Sequence, residues 1–178
     1  MSNKIYIRFF KTAYGELMLG SYEEKLCLCD WRFRKMRESI DRRICEGLHA
    51  EYAEGDSDVI QKTQDQLQAY FEKTRTCFDV PLMTVGTEFQ KMVWNELLQI
   101  PFGKTMTYME LSRKLGDEKA IRAVASANGA NAISILIPCH RIIGSKGELT
   151  GYAGGLQSKK RLLELEGVMG DSQLKMGF

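Results

Sequence analysis

In the run Pro138-Cys139-His140-Arg141 a thiol and an imidazole stand side by side, the one place in the 178 residues where they do. A thiolate is a strong nucleophile, and imidazole is the side chain whose ordinary pKa lies nearest neutrality. A free thiol, with a pKa of about 8.5, is only a few per cent ionised at pH 7, so a nearby base must draw its proton. Consecutive side chains diverge, and a water bridging Cys139 and His140 is expected rather than a direct hydrogen bond. An arbitrary Cys-His dipeptide is more often a buried cysteine followed by a surface histidine, so the surroundings have to decide. The remaining cysteines, Cys27, Cys29, Cys45 and Cys77, show no C-x-x-C, and His49 is the other histidine. That composition leaves a structural zinc site without ligands and argues against a disulfide framework.

Residues 133–137, just ahead of the pair, read Ile-Ser-Ile-Leu-Ile. The run predicts a buried strand that Pro138 stops by removing a ladder donor. Downstream, a helix is expected over residues 158–166, with Lys159, Lys160 and Arg161 near its start, Leu162, Leu163 and Leu165 on its apolar side, and Gly167 closing it. Glu166 follows Leu162 by four and Leu163 by three, so its carboxylate leans toward the core and needs a partner there.

Upstream, Thr87-Glu88-Phe89-Gln90 has capping-box spacing and leads into helical periodicity that Pro101 ends. Thr107-Tyr108-Met109-Glu110 is a second capping box, opening a short helix that Gly116 closes; a further helix covers residues 119–127. Two short helices around a glycine turn suggest helix-turn-helix. The second carries Ala120, Ala123, Ala125, Ser126 and Ala127 with a single arginine, Arg122. Such a surface suits close approach to something narrow, not base reading by many long side chains in a major groove. An alanine-rich helix packed on a neighbour would have the same composition.

The chain opens with strand-like segments at residues 5–10, 16–20 and 25–31, at hairpin spacing, which predicts a small antiparallel sheet. Residues 32–43 are strongly basic and read as a solvated charged segment, and residues 46–58 as a polar loop. Ser57 or Asp58 then caps a helix with Ile60, Leu67, Tyr70 and Phe71 on one face. Hydrophobic residues make up 44% and charged residues 27%, ordinary globular values, and no apolar run nears the roughly 18 residues of a membrane span. The opening residues carry no signal peptide, so an intracellular, non-membrane protein is expected. Before Thr84 there are 13 basic and 14 acidic residues, and from it onward 12 and 9. That mild asymmetry permits a nucleic-acid surface in the second half.

Taken in order, Thr87-Glu88-Phe89-Gln90, Ile100-Pro101-Phe102-Gly103, Thr107-Tyr108, Ala120-Ile121-Arg122-Ala123-Val124, Pro138-Cys139-His140-Arg141, Gly151-Tyr152-Ala153-Gly154-Gly155-Leu156 and Glu164-Leu165-Glu166-Gly167 resemble the O6-alkylguanine-DNA alkyltransferases. The resemblance implies an α/β chain. A ribonuclease H-like domain with an antiparallel sheet and a helix would span residues 1–84, and a helical domain with a helix-turn-helix residues 85–168, before a tail at 169–178. It implies irreversible, once-only transfer of an alkyl group from O6-alkylguanine, and from O4-alkylthymine, to Cys139, after the nucleotide is flipped from the duplex. His140 would be the base, Glu166 its orienter and Asn131 a brace of the active-site turn. Tyr108 would rotate the nucleotide and donate a proton, and Arg122 would fill the stack. Ala123, Ser126 and Ala127 would lie in the minor groove. Tyr152, Ala153, Gly154, Ser134 and the backbone of Cys139 and Ile142 would hold the base. The implied partner is double-stranded DNA containing alkylated bases, met by a monomer in the cytoplasm, or in the nucleus of a eukaryote, without metal or cofactor. Tyr22 and Cys27 stand where some members carry metal ligands. Ala132 replaces a frequent proline and is expected to loosen the loop, and Ala153 and Ser134 replace a serine and a proline of some members.

Overall fold

The computed structural model describes residues 3–168, so the tail expected at 169–178 lies outside the described residues. Three strands form the expected meander: β1 (Asn3–Thr12), β2 (Gly15–Tyr22) and β3 (Lys25–Trp31), with β2 antiparallel to both others. The β2–β3 turn places Glu23 and Glu24 at φ 46° and 60°, the paired left-handed residues that a two-residue hairpin needs to match strand twist.

Two readings change after β3. The basic stretch is not a solvated segment, because it contains helix α1 (Arg37–Leu48); Ile40 and Ile44, four apart, are its buried residues, which is why its periodicity was faint. The polar stretch after it is not all loop, because it contains β4 (Ala50–Glu54). This strand pairs parallel to β1, giving the order β3-β2-β1-β4. Helix α2 (Asp58–Phe71) follows, and Ser57 rather than Asp58 is its cap, its hydroxyl accepting from the Ile60 amide.

In the second half both capping boxes form, Thr87 with Gln90 on α3 (Glu88–Leu97) and Thr107 with Glu110 on α4 (Tyr108–Lys114). A two-residue strand β5 (Met106–Thr107) precedes α4, and Gly116, at φ 87°, turns the chain toward α5 (Ile121–Gly129). A 3-10 turn at Cys139–Arg141 leads into β6 (Ile142–Ile143), which pairs with β5, and α6 (Leu156–Leu165) closes the unit at Gly167, φ 74°.

The two halves meet along the outer edge of β3. The backbone of Leu26 pairs with that of Pro81 and Met83, and the backbone of Cys29 with Ala132 and Ser134, at 2.6–2.9 Å. An unpaired sheet edge is thereby covered, and the segment leading to Cys139 is tied to it. Ala132, 6% exposed and bonded through its carbonyl to Cys29, does not loosen this loop. Residues 133–137 are correspondingly not a strand. After the single bridge at Ile133 the chain folds into a buried turn, with Ile137 N bonded to Ile133 O at 2.9 Å and Ile135 at φ 72°.

Arginines of the supposed solvated stretch lock the same seam. Arg34 donates to the carbonyls of Gly129 and Asn131 and Arg43 to that of Ala130, so three consecutive carbonyls at the end of α5 are held by the N-terminal half. Cations suit that end of a helix. Asp30, fully buried, accepts from Arg34, Arg37, the Ser134 hydroxyl and the Trp31 amide. Removing one partner of a buried ion pair strands the other. Asp30→Ala should therefore lower the unfolding free energy by about 3–5 kcal/mol in urea denaturation. A loss under about 1 kcal/mol would mean that water already balances Arg34.

Candidate active site

Cys139 sits at the start of a 3-10 turn whose entry is fixed from behind. Its amide bonds the Ile137 carbonyl at 2.8 Å. The Asn131 side chain accepts from Ile133 N at 2.9 Å and donates to Ile137 O at 2.9 Å, spanning the buried turn. The left-handed Ile135 inside that turn is a conformation β-branched residues avoid, tolerated because the surroundings over-determine it. Cys139 is 3% exposed. Burial raises its pKa, while the Asn131 amide and the charge of Lys159 pull the other way.

His140 is fully buried and makes no direct bond to Cys139. Its Nε2 lies 2.7 Å from Glu166 Oε1, while Nδ1 is buried with no hydrogen-bond partner in the protein. Because a carboxylate only accepts, the proton of the neutral ring belongs on Nε2 and the free lone pair on Nδ1. Burial lowers the His140 pKa from its ordinary 6.5, and Glu166 offsets this only in part, so the ring is neutral at pH 7. Glu166 receives four further bonds: Tyr70 Oη at 2.6 Å, Arg141 Nη2 and Nε each at 2.9 Å, and Gly103 N at 3.2 Å. Burial resists its ionisation, but His140 and Arg141 outweigh that and hold the carboxyl well below the usual carboxylate range. Glu166 is thus ionised, inward and fully partnered.

An open cleft of about 1120 Å³ separates the halves. Tyr108, Arg122, Ala125 and Asn128 line one side, the glycine-rich loop with Tyr152, Ala153 and Gly154 another, and Trp31, Phe33, Arg34, Lys35 and Met36 a third. Tyr108 and Tyr152 are near enough to Cys139 for a thiolate charge to raise their pKa values, a smaller effect than burial in both. The Tyr108 hydroxyl donates to Thr150 O at 3.3 Å.

The glycine-rich loop is held from two sides. Lys159, fully buried, donates to Thr150 O at 2.9 Å and Gly151 O at 3.5 Å, and burial lowers its pKa to about 8 against the opposing pull of Cys139. Trp31 Nε1 donates to the Tyr152 hydroxyl at 3.1 Å, and a Cβ on Gly154 would lie 2.6 Å from the indole, so no larger residue fits there.

The expected residues thus separate into groups. Cys139, His140, Glu166 and Asn131 form one buried cluster, with Tyr108, Tyr152, Ala153, Gly154 and Arg122 around the cleft. Ala123 and Ser126 are exposed on α5, as a groove-facing surface requires. Ala127 is not on that surface: it is 2% exposed, and its carbonyl takes the Trp94 indole proton at 2.8 Å, because the helix packs this face on α3. Ser134 points away from the cleft to Asp30, at 3.2 Å, and Ile142 is buried with its amide bonded to Cys139 O. The Ser134 side chain therefore does not line a base pocket there, whereas the role expected of Ile142 is a backbone one that burial of its side chain leaves open. Asp30, Trp31, Arg34, Tyr70 and Lys159 were missed. Charges in the middle of apolar or helical runs, as at Asp30 and Lys159, were the available signal. Among the described residues no three His, Cys, Asp or Glu side chains gather as metal ligands would.

Comparison with known proteins agrees with this geometry. Residues 5–84 match the model of the 6-O-methylguanine DNA methyltransferase ribonuclease-like domain, and residues 88–168 that of the DNA-binding domain of the same proteins. A methylated-DNA–protein-cysteine methyltransferase of Methanosarcina acetivorans is 42% identical over 92% of this chain and 99% of its own length. One from Shigella flexneri is 40% identical over 85% and 99%. Among solved structures, Mycobacterium tuberculosis O6-methylguanine methyltransferase superposes with a TM-score of 0.77 at 38% identity, over 97% of this chain and 96% of that one. Mycobacterium tuberculosis OGT in complex with DNA gives 0.79 at 38% identity, over 95% and 94%. With both halves matched, in order and nearly end to end, the chain belongs to the methylated-DNA–protein-cysteine methyltransferase family.

Proposed function

We propose that the protein repairs double-stranded DNA by moving the alkyl group of O6-alkylguanine, and of O4-alkylthymine, onto Cys139, once per molecule. The observation that carries this is the buried Glu166–His140 pair, which leaves a free basic nitrogen, His140 Nδ1, in the same turn as the thiol of Cys139, the residue before it. His140 takes the thiol proton through a bridging water. The sulfur then attacks the alkyl carbon, an S–C bond forms, the C–O6 bond breaks, and its electron pair leaves with the base, which gains a proton from Tyr108. The Tyr108 phenol recovers the proton held on His140. Glu166 steadies the transient imidazolium, as a carboxylate does in any nucleophile–base–orienter arrangement.

A base in a duplex cannot reach a sulfur that is 3% exposed, so the nucleotide must swing out into the cleft. Arg122, exposed at the start of α5, is placed to occupy the gap, while Ala123 and Ser126 let the helix lie close in a minor groove. Trp31 and Lys159 hold the loop that receives the base. In this reading the protein acts as a monomer on the DNA of the cytoplasm, or of the nucleus in a eukaryote. None of the described helices is long and apolar enough to cross a membrane. The thioether has no ready reverse step, so turnover ends with the first transfer.

Incubation with a duplex carrying O6-methylguanine should add one methyl to the intact protein, mapped to Cys139 and absent in Cys139→Ser. Binding without any mass gain would instead mark a lesion-recognition module. Arg122→Ala should slow transfer from the duplex about 10-fold or more while sparing free O6-methylguanine, because only the duplex charges the cost of unstacking; equal losses would remove Arg122 from that role.

The proton relay predicts a pH profile. Transfer requires neutral His140, whose pKa lies below its ordinary 6.5, and a thiol whose pKa lies above its ordinary 9.0, so the rate should be flat between those values and fall in acid. Tyr70→Phe removes a donor that competes with His140 for Glu166 Oε1. The imidazolium is then better stabilised, and the acid limb should move to higher pH. An unmoved limb would mean that His140 is not the group titrating.

A further inference from the structure

We propose that residues 32–36 form a second DNA-contacting surface, in which Phe33, Lys35 and Met36 bear on the lesion strand beside the flipped nucleotide. The proposal rests on the alkyl-transfer reading above and extends it to a part of the N-terminal half to which the mechanism gives no work.

Position is the first argument. Phe33, Lys35 and Met36 line the same cleft as Arg122 and Tyr108, from the N-terminal half. A strand that delivers a nucleotide into that cleft passes this segment.

Chemistry is the second. Phe33 is 81% and Met36 72% exposed, the two most exposed large hydrophobic side chains among the described residues, and they stand three apart on one bend. Lys35 between them is exposed and has no acidic partner among the described residues. Single exposed apolar residues are ordinary, but two flanking an unpaired cation are the composition of a stacking surface for bases with a phosphate contact. The Arg32 guanidinium lies 4.0 Å from the Phe9 centroid and 5.1 Å from that of Phe33, a cation–π contact for each ring.

Rigidity is the third. Met36 has φ 63° and ψ 23°, left-handed geometry that methionine rarely adopts. Arg34, 6% exposed at its side chain, pins the bend through Asp30, Lys35 O, Gly129 O and Asn131 O. The backbone of the bend is thereby tied to the C-terminal end of α5, the helix whose first turn bears Arg122. Strain of this kind persists only where the surrounding structure over-determines it, which the Arg34 bonds do here. A protein partner would also favour phenylalanine and methionine, but the shared cleft favours DNA.

The test compares wild type with Phe33→Ala/Met36→Ala and with Lys35→Ala, none of which touches the buried cluster. Transfer rates are measured with an O6-methylguanine duplex and with free O6-methylguanine, and affinity for an undamaged duplex by fluorescence anisotropy across a salt series. The double variant should lose about fivefold or more in duplex affinity and duplex transfer, with free-base transfer unchanged. Lys35→Ala should reduce the log–log salt slope by about 0.9, one phosphate contact. Unchanged duplex affinity in all variants would overturn the proposal, as would equal losses on duplex and free base, and loss of binding to another protein with DNA binding intact would reassign the surface. The affinity arm is independent of chemistry. If wild type transferred no alkyl group yet the variants bound duplex more weakly, the surface would stand and the alkyl-transfer reading would fall.

Discussion

One buried carboxylate determines how the rest of this molecule is arranged. Glu166 at the end of α6 carries a charge that the interior tolerates only because five donors meet it. Those donors arrive from α2, from the loop after α3 and from the turn that holds Cys139. Tyr70 belongs to the N-terminal half, so the carboxylate that orients His140 also closes the contact between halves. Tyr70 packs its ring against Phe102, 6.0 Å between centroids and nearly perpendicular, and Arg141 bonds the Ile100 carbonyl at 2.6 Å. The site is as rigid as this polar knot, and the knot is complete only when both halves are folded.

The N-terminal half is thus more than a neighbour. Its sheet edge pairs with the segment entering the active-site turn, its arginines hold the end of the helix that bears Arg122, and its Trp31 steadies the glycine-rich loop through Tyr152. The C-terminal half supplies the reacting atoms, and the N-terminal half fixes their relative positions. Cys139 is buried, and the open cleft lined by its neighbours Tyr108 and Tyr152 is bounded by residues of both units.

Much of this was legible in residue spacing, and the exceptions have physical causes. Capping boxes at Thr87 and Thr107 and the glycine stops at Gly116 and Gly167 are local signals, and local geometry obeyed them. The inward lean of Glu166 followed from helical period alone, but its bond to Tyr70, 96 residues earlier, did not. Residues 133–137 have the composition of a strand, yet the edge of β3 offers only one bridge before Asn131 ties the chain back, so tertiary hydrogen bonding overrode propensity. The basic stretch misled for a related reason: a carboxylate, Asp30, lies buried within reach, and charge density along a sequence does not reveal which arginines find one. On α5 the small residues were read as one surface, although a helix has two sides and Ala127 faces Trp94.

The seam between β3 and residues 132–134 carries a thermodynamic corollary. Because that backbone pairing and the Asn131 brace fix the same turn, the turn and the sheet edge share one conformational equilibrium. Any occupant that favours the ordered turn must, by reciprocity, favour closure of the seam to the same extent. The sheet, far from the reacting sulfur, is therefore a reporter of what the sulfur's surroundings hold, and its amide protection is a measure of occupancy in a molecule that reacts once.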